Sequence, residues 1–159
     1  MKVNNGLNKY ELASYLKELK LLSCSGDVDK SKLSSLAEVE AIRYKASHLD
    51  DLPVKKFTLD FNELSSGGGI ELKRQLSKNN NSAVYLWTPR TNSCGLYSVQ
   101  SIDDVNFKFP FNVNSEGIVV IMSTNLEDKL LLDFYRNSEG KEEVEVEVIG
   151  KNWSNLDIG

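Results

Sequence analysis

Residues 117–149 read GIVVIMSTNLEDKLLLDFYRNSEGKEEVEVEVI, and this stretch decides the fold. Between Gly117 and Ser123 it is almost continuously apolar, Ile118-Val119-Val120-Ile121-Met122. A run of that kind and length fits a central strand buried on both faces. A turn at Asn125 to Asp128 leads into a second strand, Lys129 to Arg136. The turn Asn137-Ser138-Glu139-Gly140 then leads into a third, Glu142 to Ile149. Links this short join antiparallel neighbours, so the three strands form a C-terminal β-meander.

Working back from the meander, Ala83 to Thr88 and Gly95 to Val99 read as strands around a Pro89-to-Cys94 connection. Lys56 to Phe61 reads as a strand with Phe57, Leu59 and Phe61 on one face. Ser65-Ser66-Gly67-Gly68-Gly69 reads as a flexible loop, Ile70 to Lys78 as a short helix, and Asn79 to Asn81 as a loop. Leu12, Tyr15, Leu16, Leu19 and Leu22 recur at helical spacing and predict a helix from Asn8 to Ser23. Asn8 with Glu11 makes its capping pair, and Ser25-Gly26-Asp27 its terminating turn. From Lys30 to Asp51, Leu33, Leu36 and Ala37 suggest a short helix, whereas Val39, Ala41, Tyr44 and Ala46 suggest a following strand, closed by Pro53. The sum is an α+β domain over residues 1–159, a helical N-terminal part packed on a mostly antiparallel β-sheet.

The net charge of -4 argues against a dedicated nucleic-acid binder, which carries a basic excess, and suits a basic partner. Cys24 and Cys94 show no CxxC or Cys/His spacing, so neither a zinc site nor any other cofactor is expected. Met1-Lys2-Val3-Asn4-Asn5-Gly6 lacks the apolar core of a signal peptide, and no run is long enough to span a bilayer. A cytoplasmic protein with reduced thiols and no membrane partner is the expectation.

Reactive centres are sparse. His48 is the sole histidine, and nothing in sequence selects a serine partner for it. Gly67 to Gly69 precede Lys73 and Arg74 at a helix start, but the Gly-Lys-Ser/Thr ending of a phosphate loop is missing. The sharpest enzymatic candidate is Asp60 with Glu71-Leu72-Lys73. Two carboxylates there would hold magnesium and the lysine would stabilise developing charge in a metal-dependent nuclease.

Surface complementarity has more to work with. Glu143, Glu145 and Glu147 alternate with Val144, Val146 and Val148, so period two puts three carboxylates on one face of a strand. They read either as a solvated outer face that discourages edge-to-edge aggregation or as a docking stripe for a partner's lysines and arginines, and a place near the C-terminus suggests a sheet edge able to accept a partner strand. Asp103 and Asp104 stand beside the alternating Phe107 and Phe109, which read either as core residues or as aromatic anchors of an acidic patch. Trp87, Pro89, Arg90 and Tyr97 suggest a similar patch near a loop. Base stacking on such aromatics is the nucleic-acid alternative, opposed by the acidic neighbours.

Glu116-Gly117-Ile118-Val119-Val120-Ile121-Met122 followed by Lys129-Leu130-Leu131-Leu132-Asp133-Phe134-Tyr135, in a small acidic chain without a catalytic set, resembles the immunity proteins of bacterial contact-dependent growth-inhibition systems. The resemblance implies a non-enzymatic protein that binds, one to one, the C-terminal toxin domain of a cognate exported effector, often a nuclease. It further implies that a toxin β-hairpin or strand can be taken into the immunity protein's sheet. The resemblance transfers no site residues, and the interface candidates are those of the two acidic patches.

Overall fold

The computed structural model describes residues 5–24 and 27–157, with 5–8 as backbone only. Its helices and strands run in the order α1 (Asn5–Leu22), α2 (Leu36–Ala46) with a 3-10 turn after it (Ser47–Asp51), β1 (Val54–Asp60), α3 (Phe61–Leu64), α4 (Gly67–Asn79), β2 (Val84–Trp87), α5 (Thr91–Cys94), β3 (Tyr97–Val99), β4 (Ile118–Ser123), β5 (Asp128–Arg136) and β6 (Glu142–Gly150). The strands make one six-stranded sheet, β1-β6-β5-β4-β2-β3, with every neighbouring pair antiparallel. The α+β class and the C-terminal meander are as the sequence predicts.

Period-two alternation sorts the strand residues onto two faces. Val144, Val146 and Val148 of β6, Leu130, Leu132 and Phe134 of β5, Val119 and Ile121 of β4, and Val84 and Leu86 of β2 build the main core. Tyr15, Leu19 and Leu22 of α1 cover it, with Leu72 and Leu76 of α4. Phe61, Phe109, Phe111 and Phe134 meet at one end with ring centroids 5.0 to 5.8 Å apart. α1 is fastened by polar contacts as well. The Tyr15 hydroxyl donates to the Gly95 carbonyl at 2.7 Å, and buried Glu18 accepts from Arg90 at 2.6 Å.

The opposite face is covered at one end only. Val39 and Ile42 of α2, Leu49 of the 3-10 turn, Met122 of β4 and Ile149 of β6 form a second, smaller cluster there. Asp128, fully buried at the start of β5, knots the C-terminal segment to the sheet. It accepts from Asn80 at 2.6 Å and from the backbone N–H groups of Asn152 and Trp153, each at 2.8 Å. Trp153 is itself fully buried, and its indole N–H donates to Leu76 and Asn80 carbonyls.

Several expectations give way to the three-dimensional context. Residues 36–46 are wholly helical, with no strand: Ser35 caps Glu38 N–H, and Val39 and Ile42, three apart, face the sheet. The triple glycine is the first turn of α4, not a loop. A Cβ on Gly69 would lie 1.7 Å from the Leu64 carbonyl oxygen, so close passage of α4 under α3 requires glycine there. α1 starts at Asn5, which places Asn8 inside the helix; the turn expected at Ser25-Gly26 lies outside the described residues. Phe61 opens α3 rather than ending β1. β4 is buried on both faces only near Met122, because α2 stops short of Val120 and Ile118, which stay half-buried. β6 is not an edge strand: β1 and β5 flank it, and the terminal strands are β1 and β3.

Candidate binding face

Registers across the sheet define the uncovered part of the second face. One row runs Lys56, Glu147, Leu131, Val120, Trp87. The next runs Thr58, Glu145, Asp133, Ile118, and the last Asp60, Glu143, Tyr135. Glu143, Glu145, Glu147, Asp133, Leu131, Val120 and Ile118 are half-exposed, and Asp60 and Tyr135 exposed. The face thus carries five named carboxylates around a strip of apolar side chains.

These charges are poorly satisfied within the chain. Asp60 stands directly across from Glu143, and Asp133 directly across from Glu145. Like charges in such positions destabilise a sheet. Lys56 reaches both Glu145, at 3.9 Å, and Glu147, at 3.8 Å, one cation shared between two carboxylates. Desolvation, then the negative field of Glu143, a hydrogen bond to it, and the fields of Glu145 and Asp133, push the Tyr135 phenol above its ordinary pKa. Among the described residues no group of acidic, histidine or cysteine side chains is arranged to hold a metal. A concentration of carboxylates makes this face attractive to positive charge.

At the edge of the open face, where α2 meets the sheet, lies a cavity of about 290 Å³. Ala46, Trp87, Val120 and Met122 form its apolar walls, and Arg43, Ser47, Asp50, Asn92 and Lys129 its rim. The rim cations have partners: Lys129 pairs with Asp50 at 3.3 Å, and Arg43 pairs with Glu40 at 3.4 Å and donates to Asn92.

The other sequence candidates fall elsewhere. Phe107 and Phe109 are 4% and 2% exposed, members of the main core, and are therefore not surface anchors. Their alternation serves packing against α3, α4 and β5. Asp103 and Asp104 lie on the helical side of the sheet, away from the glutamate row. Ser77 of α4 donates to the Asp103 carboxylate at 3.1 Å, and Lys73 to its carbonyl at 3.4 Å. The two acidic patches do not form one surface.

The magnesium triad is not assembled either. Asp60 is on the open face, while α4, with Glu71 and Lys73, packs against the other. Arg74, then Gln75, bind the Glu71 carboxylate and hold its pKa down at about 2. Lys73 sits over the Phe107 ring at 5.5 Å. His48 is exposed and bonds only locally, to the Lys45 carbonyl at 2.6 Å. Of the loop patch, Tyr97 is core and Arg90 is engaged by Glu18; Trp87 alone reaches the open face.

Asp133, Tyr135, Leu131 and Val120 escaped the sequence reading. The same alternation that marked β6 runs through Leu131, Asp133 and Tyr135, and would have found them once the two strands were placed in register. No helix among the described residues is long and apolar enough to cross a membrane. Comparison with known protein families, with curated proteins and with solved structures returned no match.

Proposed function

We propose that this chain is a binding protein that neutralises a basic protein domain, with the open sheet face as its contact surface. The resemblance of its last third to contact-dependent growth-inhibition immunity proteins makes that domain the toxin of a cognate effector, in a one-to-one complex. A nuclease fits best, because a surface that binds nucleic acid is basic. One observation carries the reading: acidic side chains stand directly opposite acidic side chains on an uncovered face, around half-buried apolar residues. Local rules of sheet stability are broken there, as they are at functional sites, and cations of a partner would relieve the repulsion.

The mechanism is occlusion. The negative face accelerates encounter with a basic surface, and apolar contact around Leu131 and Val120 then slows release. A strand added by main-chain pairing would join at β1 or β3, since β6 has neighbours on both sides.

The test is co-expression with the C-terminal region of the effector encoded immediately upstream. That region should arrest cells, and this chain should rescue them. The triple variant Glu143→Gln, Glu145→Gln, Glu147→Gln should associate about tenfold or more slowly at low salt and lose most of the salt dependence. A harmless effector region, or unchanged association in the triple variant, would overturn the proposal.

A further inference from the structure

The structure assigns a second task to the cleft between α2 and the sheet: it is the anchor pocket of the binding face. We infer that it takes one apolar, preferably aromatic, side chain from the basic partner, with a lysine or arginine about 10 Å further along. This rests on the proposed function and adds which contact holds the complex together.

Three observations carry it. The walls, Ala46, Trp87, Val120 and Met122, are apolar, and the volume of about 290 Å³ lies at the low end of ligand cavities (about 300–1,000 Å³), which suits a side chain better than a cofactor. Asp50 and Glu40 hold the rim cations Lys129 and Arg43, so the entrance does not repel a basic segment. Third, the pocket is continuous with the acidic face: Trp87 and Val120 share a row with Leu131 and Glu147. Two strand spacings separate Val120 from Glu147, about 10 Å in all. A buried aromatic ringed by polar contacts is the arrangement in which a few residues carry most of an interface's affinity.

The partner chemistry follows from that distance. In an extended segment residues two apart share a face at about 6.6 Å, and the length of an arginine side chain covers the remainder, so an aromatic followed two positions later by a cation places both groups. The probe is the capped tripeptide Phe-Gly-Arg, compared with Ala-Gly-Arg and titrated into the whole chain. Trp87 emission is the readout, because Trp153 is fully buried. Amide shifts by NMR locate the contact.

The phenylalanine peptide should bind about tenfold or more tightly than the alanine peptide. It should shift amides in α2 and β4. Ala46→Leu, which fills the pocket from a helical position, should abolish the difference while leaving weak arginine-dependent binding intact; Ala46→Met repeats the test should the first variant fold poorly. Equal binding of both peptides, lost in Glu147→Gln, would overturn the pocket while leaving the acidic face as a docking surface. Shifts confined to another surface, or no binding at millimolar peptide, would also overturn it, and rescue by co-expression would then decide the wider reading independently.

Discussion

On one face of β6, Val144, Val146 and Val148 are fully buried against the helical layer; on the other, Glu143, Glu145 and Glu147 stand half-exposed, opposite Asp60 and Asp133. The backbone and its ladder are common to both. The difference teaches that packing and exposed charge are divided by parity along a single strand. The covered face supplies the packing that tolerates charge repulsion on the open one.

The comparison predicts unequal consequences for substitution. The largest belongs to the covered side. Trp153→Ala should lower unfolding stability by about 3–5 kcal/mol in denaturant titration, since a fully buried ring is lost together with the indole N–H that donates to the Leu76 and Asn80 carbonyls. A cost below about 1 kcal/mol would mean the helical layer does not anchor the sheet.

Asp128→Ala should follow at about 2–3 kcal/mol, because the buried N–H groups of Asn152 and Trp153 lose their acceptor. Asp128→Asn should recover part of the loss. Thermal unfolding of the pair would separate the lost hydrogen bonds from lost volume.

Glu18 sharpens the contrast between a carboxylate on the covered side and those on the open face. Burial raises its pKa above 4.5, despite opposing hydrogen bonds from Arg90 and Thr88. Folded chains then bind more protons than unfolded ones above that pH, so this group's contribution to stability declines as pH rises from 4.5 through the raised value. The melting temperature of the wild type, relative to Glu18→Gln, should fall across that window. A rise would reverse the assignment. The smallest effect is expected on the open face: Glu145→Gln should change unfolding stability by no more than about 0.5 kcal/mol while slowing association with a basic partner.

The architecture was legible where a periodic signal was long. The run from Ile118 to Ile149 sets three strands and their order, because links of four and five residues leave antiparallel pairing of neighbours as the natural arrangement. Residues 36–46 misled because Val39, Ala41, Tyr44 and Ala46 look like a half-strand; Ser35 and Glu38 offered a local capping signal, whereas the match of Val39 and Ile42 to Met122 and Ile149 is a tertiary fact. The Gly69 requirement is likewise invisible in sequence, since the Leu64 carbonyl it avoids is brought near only by the α3–α4 junction.

For the binding face, the glutamate row was legible and its company was not. Asp133 and Asp60 join it through register, which a single strand does not specify. Phe107 and Phe109 carried the same alternating signature yet fill the core, because alternation reports a buried face without saying which residues line it.

The place of β6 between β1 and β5 has a consequence for biosynthesis. Of the six strands, β6 leaves the ribosome last, yet it occupies an interior slot and must join residues 54–60 to residues 128–136. Helices and the β4–β5 hairpin can form while translation continues, but β1 has no ladder partner until β6 emerges. Pairings so distant in sequence make closure a late and slow step. Nascent or prematurely terminated chains consequently lack the glutamate row, and the proposed contact surface is complete only in molecules whose synthesis has passed residue 150.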